Sequence, residues 1–276
     1  MTSTLCALGA VALWSTLATL GLMLSHVPPL LLTGLGLLIG SIPAWPLAQQ
    51  WRVRPGTLLL GVYGLFGFHF LLFIALRHAP PVSANLVNYL WPLFMVVLAP
   101  LFLRELHSSP VHLGAALVGF AGAALAMLAD RDLDGFGGES AWGYLAALGS
   151  AWVWASYSLL TKRVALFPTS AIGLFGLVSG LLSLLCHMWL EPAASLTPRD
   201  WGLIALLGLG PLGGAFFLWD AALKRGDPRR IGVLSYLTPL ASTLLLVVTS
   251  GRPLTAAIGV AALLIVGAAA VGLAVR

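Results

Sequence analysis

Residues 89–93 read Tyr89-Leu90-Trp91-Pro92-Leu93, and 147 positions further on the chain reads Tyr236-Leu237-Thr238-Pro239-Leu240. Under the same shift, without a gap, Ala75-Leu76-Arg77 falls on Ala222-Leu223-Lys224. A shift of 140 lays Ala7-Leu8-Gly9 over Ala147-Leu148-Gly149 and Trp14 over Trp154, and a shift of 145 lays Gly114 and Gly122 over Gly259 and Gly267. Apolar segments match easily by chance, so the Ala and Leu identities carry little weight. The paired Tyr-x-x-Pro and the paired Trp carry more, and they mark an internal repeat.

The repeated unit is made of membrane spans. Of 276 residues 59% are hydrophobic and only 8% charged, whereas soluble domains are about a quarter charged. That excludes a cytosolic enzyme, a secreted protein and a nucleic-acid-binding protein. The net charge of +5 comes from basic residues scattered between apolar runs, a topology signal rather than a nucleic-acid patch. At about 20 residues per crossing, ten spans fit, near 4–24, 30–48, 57–76, 82–103, 111–129, 140–161, 169–190, 201–223, 231–249 and 254–275. Most breaks between them set Pro or Gly beside a charge, where water can satisfy the freed backbone groups. The runs do not alternate as a lipid-facing barrel strand must. The expected fold is an all-α integral membrane protein. No basic residue precedes the first apolar run, so the chain is expected to open as a membrane helix, not a signal peptide.

Five spans per copy is an odd number, so the second copy must enter the membrane upside down. The expected organisation is a first repeat at 1–130, an extracytoplasmic linker at 131–139 and a second, inverted repeat at 140–276. With both termini on one side, that side collects ten Lys and Arg (Arg52, Arg54, Arg104, Lys162, Arg163, Lys224, Arg225, Arg229, Arg230, Arg276). The other side holds four (Arg77, Arg131, Arg199, Arg252). Both termini are therefore expected in the cytoplasm, with the acidic loop Asp130, Asp132, Asp134 and Glu139 outside. Inverted repeats are characteristic of transporters that rock around a site between their halves.

Two inverted five-span copies, each opening on a Trp (Ala-Leu-Trp14-Ser and Val-Trp154-Ala-Ser), resemble the drug/metabolite transporter superfamily and its EamA-type members. The run Ser83-Ala84-Asn85-Leu86-Val87-Asn88-Tyr89-Leu90-Trp91-Pro92 is similar, more narrowly, to the YddG-type aromatic amino acid exporters. The resemblance implies export of aromatic and other neutral amino acids across the bacterial inner membrane. Export of other small metabolites or aromatic drugs is the alternative, and a membrane-embedded enzyme a more distant one.

In the fourth span Asn85, Asn88, Tyr89 and Pro92 lie at i, i+3, i+4 and i+7, one helical face. A polar face in so apolar a segment must look into protein or a water-filled cavity. Pro92 cannot donate to the Asn88 carbonyl, and Pro239 is expected likewise to free that of Ser235, beside Tyr236. Two matched spans would each offer a carbonyl to a substrate ammonium, unless Asn and Tyr only bond neighbouring helices and Pro only kinks. In the sixth span Ser150, Trp154, Tyr157, Ser158 and Thr161 share a face that mixes rings with hydroxyls, as a pocket for an amphipathic molecule would. Trp14 and Trp154 serve either the site or helix packing. His69, whose repeat mate is Phe216, is a buried neutral imidazole, a substrate ligand or a proton relay. Asp220, with Lys224 at i+4, reads as an ion pair or gate element near a span end. The expected substrate-binding set is Trp14, His69, Asn85, Asn88, Tyr89, Trp154, Tyr157, Ser235 and Tyr236, with Pro92, Pro239 and Asp220 as helix-break or gating residues.

No central carboxylate is present to hold a cation, and no central Lys or Arg to hold an anion, so neutral or zwitterionic cargo fits best. HExxH, GxSxG, Walker A and CxxC motifs are missing, and Cys6 and Cys186 form no motif. Neither an enzyme, a metal nor a cofactor is expected. The expected partners are the small-molecule cargo and membrane lipid, and the expected state is a monomer.

Overall fold

The computed structural model describes residues 2–107, 109–128, 141–250 and 255–274. The expected linker 131–139, its acidic residues and the Gly251-Arg252-Pro253 break lie outside the described residues. Among those described the chain is helical, without strands. Fifteen α-helices run in order: α1 (Ser3–Ser15), α2 (Leu17–Met23), α3 (Pro29–Ser41), α4 (Pro55–Val62), α5 (Phe68–His78), α6 (Pro81–Asn88), α7 (Trp91–Phe102) and α8 (Pro110–Leu128). Then follow α9 (Ala141–Leu160), α10 (Ala171–Leu190), α11 (Pro198–Leu209), α12 (Ala215–Arg225), α13 (Pro228–Leu234), α14 (Leu237–Ser250) and α15 (Ala256–Ala274). Six of the fifteen begin on Pro (α3, α4, α6, α8, α11 and α13), and α7 and α14 carry it in the first turn, where its missing N–H costs nothing.

Many of these helices are halves of bent rods. Taken so, eight rods are long and apolar enough to cross a membrane: Ser3–Met23, Pro29–Gln50, Pro55–His78, Pro81–Phe102, Pro110–Leu128, Ala171–Leu190, Pro198–Arg225 and Ala256–Ala274. The sequence led us to expect two more, at α9 and at α13–α14. Helix α9 is 20 residues long, but Gly, Ser, Trp and Tyr dilute its apolarity. It needs little lipid-facing surface, because its residues from Ser150 to Leu159 are buried in protein apart from Trp152. Helices α13 and α14 are each shorter than a crossing and meet at a break.

Four interruptions shape the centre. π-Helical turns at Tyr63–Gly67 and Gly210–Gly214 join α4 to α5 and α11 to α12. The other two are the breaks before Pro92 and before Pro239, where α6 gives way to α7 and α13 to α14. Helix α8 packs along α15, α3 along α10, α5 along α9, α1 along α12, and α7 along both α9 and α13. Helices α3 and α10 approach at Gly34 and Gly180, where a methyl on Gly180 would lie 2.9 Å from the Gly34 carbonyl oxygen. Such small-residue contacts substitute for the hydrophobic drive that lipid removes.

Candidate functional site

A cavity of about 700 Å³ opens between the helices. Its mouth is bordered by Gly21, Leu76, Pro81, Met127, Val247 and Ile258, each near the end of its helix. Its inner wall is aromatic, formed by Trp14, Trp91, Trp154, Phe68 and Phe216. These rings hold each other edge-on or tilted: Trp14 to Trp154 at 5.8 Å, Trp154 to Phe216 at 5.5 Å and Phe68 to Trp154 at 5.3 Å between centroids. Trp219 stands behind them, 5.1 Å from Trp14 and 5.5 Å from Trp91. Each such pair adds roughly 0.5–1.5 kcal/mol beyond area burial. The indole N–H groups are used in the packing: Trp14 Nε1 donates to the Pro211 carbonyl at 3.1 Å and Trp219 Nε1 to Ser158 Oγ at 3.1 Å. Trp14 is therefore anchored in the π-helical turn of the other half while its ring borders the cavity.

Polar groups punctuate this wall. The face of α6 expected from the sequence is there, with Asn85, Asn88 and Tyr89 all on the cavity. The helix breaks after Asn88: Leu90 N–H bonds the Val87 carbonyl in a tightened turn at 3.1 Å, and Pro92 has no N–H to offer the Asn88 carbonyl. His69 lines the cavity too, and its Nδ1 lies 2.6 Å from the Leu65 carbonyl. A carbonyl can only accept, so Nδ1 carries the proton and Nε2 is left as an acceptor. Among the described residues, no Asp, Glu, Lys or Arg lines the cavity.

The second break departs from expectation. Ser235 and Tyr236 are fully buried and absent from the cavity wall. Pro239 does remove one donor from the Ser235 carbonyl, but Thr238 N–H supplies another at 2.9 Å in a 3₁₀-type turn, so that carbonyl is not free. Tyr236 instead packs over Gly119, where an added methyl would come within 2.6 Å of its ring. Tyr157 is likewise buried behind Trp154, its ring over Gly64. Pro92 is buried off the wall, whereas Pro239 is on it. From α14 the wall takes Thr238, Pro239, Ser242, Thr243 and Val247, beyond the break. Sequence reading passed over Thr33, Ser242 and Thr243. The only trace of the latter two was a set of hydroxyls at i, i+4 and i+5 from Thr238 in an apolar run. The Thr238 hydroxyl has no partner among the described residues.

At the opposite end the helices are tied shut. Asp220 is buried away from the cavity and accepts from Lys224 at 2.6 Å and Thr169 at 2.7 Å. Lys224 also donates to the Phe167 carbonyl at 2.8 Å and lies over the Phe167 ring. Lys162 caps the end of α12 through the Leu223 and Gly226 carbonyls at 2.7 and 2.9 Å. Burial pulls the Lys162 ammonium below the ordinary lysine value, opposed by Asp227 and Glu105. Ties that cross between the halves include Ser3 Oγ to the Ala222 carbonyl at 3.0 Å, Ser170 Oγ to Gln50 Oε1 at 3.0 Å and Arg229 to the His107 carbonyl at 2.8 Å.

An aromatic cavity open at one end of a bundle of bent membrane helices narrows the class, and the family model described as the EamA-like transporter family matches residues 1–128 and 141–273. The chain belongs to the EamA-like transporter family. Among relatives of this EamA-like chain, the Aromatic amino acid exporter YddG of Ancylobacter novellus is 42% identical over 280 residues, 98% of this chain and 96% of its own. The Aromatic amino acid exporter YddG of Escherichia coli K12 is 27% identical, across 96% of this chain and 94% of its own. A solved crystal structure of a protein 41% identical superposes with a TM-score of 0.91, covering 98% of this EamA-like chain and 96% of the other.

Proposed function

We propose that this chain exports aromatic and other neutral amino acids from the cytoplasm across the bacterial inner membrane by alternating access. The observation that carries the reading is the chemistry of the cavity wall, aromatic rings and uncharged polar groups, with His69 and Tyr89 the only ionisable lining residues among those described. A zwitterion brings two opposite charges that amide dipoles and aromatic faces can meet separately. Cargo with a net charge would be buried without a counter-ion, at a cost of several kcal/mol. The volume lies within the roughly 300–1,000 Å³ typical of small-molecule sites. The relatives named for aromatic amino acid export supply the cargo class.

The architecture behind this reading is ten spans in two inverted five-span repeats, 1–130 and 140–276, acting as a monomer. Two regularities support it. The π-helical turns begin at Tyr63 and Gly210, and the helices that lead into the breaks begin at Pro81 and Pro228, in both cases 147 positions apart. The packing is also symmetric under exchange of the copies: α1 on α12 is answered by α5 on α9, and α7 on α9 by α1 on α14. The cavity borders α6, before the first break, and α14, after the second, as expected of two rods crossing in opposite directions. With both termini in the cytoplasm, the mouth faces outward and the tied end is the cytoplasmic gate.

Uptake of radiolabelled amino acids into proteoliposomes holding the purified protein tests the reading. Saturable flux of Phe, Trp, Thr or Met is expected, with Asp, Glu, Lys and Arg neither carried nor competing. Folded protein that carries none of the neutral set would refute the cargo assignment.

A further inference from the structure

Behind the cavity wall, Ser150 on α9 is wholly buried, and its Oγ lies 2.7 Å from Asn88 Oδ1 and 2.9 Å from the Ala147 carbonyl. Both neighbours are acceptors, so the single hydroxyl proton sits in the fork between them and favours the shorter contact. Asn88 Oδ1 is thereby occupied. Asn88 Nδ2 has no protein acceptor among the described residues, and the side chain borders the cavity.

A primary amide carries an acceptor at one corner and donors at the other, and an unsupported Asn can present either. We propose that Ser150 removes that choice: it is a positioning residue that holds the Asn88 oxygen in the helix packing and its NH₂ toward the cavity, so that Asn88 donates to the carboxylate of the cargo. This rests on the amino-acid reading above. A neutral donor aimed at a carboxylate makes a charge-assisted hydrogen bond without placing a fixed cation in the membrane. The device occurs in only one of the two copies. The residue 140 positions before Ser150 is Ala10, and Ser235, the mate of Asn88, spends its hydroxyl on the Gly232 carbonyl of its own helix. Cargo is therefore held in one orientation, carboxylate toward the α6–α9 contact.

Competition against labelled Phe uptake in proteoliposomes, with Phe itself and with phenylalanine amide as competitors, reads this directly. In the wild type the free acid should compete about tenfold or more better than the amide, since one positioned bond to a charged group is at stake. Ser150→Ala should raise KM for Phe about three- to tenfold with kcat little changed, and shrink the acid-to-amide ratio toward one as Asn88 turns either way. Ser150→Thr, which keeps the hydroxyl, should restore the ratio. Asn88→Asp, acceptor only, should reverse the preference toward the amide. A purely structural role for Ser150 would weaken both competitors equally, and an unchanged ratio in Ser150→Ala would overturn the proposal. So would a wild type that accepts the amide as well as the acid. Should Ser150→Ala fail to fold, Ser150→Cys, similar in size and a weak donor, carries the same comparison. A folded wild type that takes up no Phe would overturn the cargo reading, and this proposal with it.

Discussion

The two broken helices, α6–α7 and α13–α14, carry the same local chemistry and end in opposite surroundings. Each has a Tyr followed three residues later by Pro, 147 positions apart, and each interrupts its backbone ladder at that point. Yet Tyr89 borders the cavity, while Tyr236 is fully buried among Val96, Ala115, Ala116 and Ile265. The difference lies in what faces each break. Gly119 leaves a recess on α8 that the Tyr236 ring fills, and Gly232 brings α13 to within contact of Pro92 and Met95 on α7. No such neighbour covers Asn85 and Tyr89. A cavity with one mouth takes the two rods on opposite sides of their breaks, so residues equivalent in the repeat are not equivalent in exposure.

The strongest way to break this comparison is to fill the recess. Gly119→Leu should evict Tyr236 and overpack the α8–α13 contact, at a cost of about 3 kcal/mol or more. A drop of several degrees or more in the melting temperature in detergent, or loss of folded protein, is expected. Gly114→Ala, with open space around its Cα, is the control and should melt as the wild type does. If Gly119→Leu melted normally, Tyr236 would not be pinned where the structure puts it.

A smaller effect separates the two breaks in function. Tyr89→Ala and Asn85→Ala should each raise KM for Phe about tenfold through lost contact with cargo, while Ser235→Ala should change it less than about twofold. Proteoliposome kinetics decide this, and equal effects on the two sides would abolish the asymmetry. Smaller still is Thr238→Val. It exchanges a hydroxyl that has no partner among the described residues for a methyl of the same shape, and should leave the melting temperature equal or slightly higher. A fall would reveal a partner for that hydroxyl. The smallest expected effect is none. With no Asp, Glu, Lys or Arg on the wall among the described residues, flux should follow the amino-acid gradient and ignore an imposed pH gradient. Flux that requires the pH gradient would return His69, the one imidazole on the wall, to the role of proton carrier.

Much of the candidate site was legible before any coordinates. Asn85, Asn88 and Tyr89 announced themselves as a polar face in an apolar span, and their place on the wall follows from helical periodicity alone. His69, Trp14 and Trp154 were also legible as interior polar or aromatic groups in spans. Ser235 and Tyr236 misled because repeat equivalence was taken to carry exposure with it. Tyr157 misled because its helix, α9, is enclosed almost all round, so that a polar face there meets other helices rather than a void. Thr33, Ser242 and Thr243 escaped because a hydroxyl in a membrane span can bond its own helix backbone and needs no cavity.

What could be read along the chain is therefore whatever lipid and water impose locally: helical spans, their ends at Pro and Gly beside charge, the positions of the breaks, and a repeat that invites an inverted second copy. Those follow because a backbone in hydrocarbon must satisfy its own hydrogen bonds within a few residues. Which polar residues face the cavity, which Tyr is buried and which amide is held from behind are set between elements far apart in sequence. Asn88 meets Ser150 across 62 positions and Trp14 meets Pro211 across 197. Such contacts depend on how glycine recesses and bulky rings interlock once the helices assemble, and on which end of the bundle is open. No periodicity within one span encodes them.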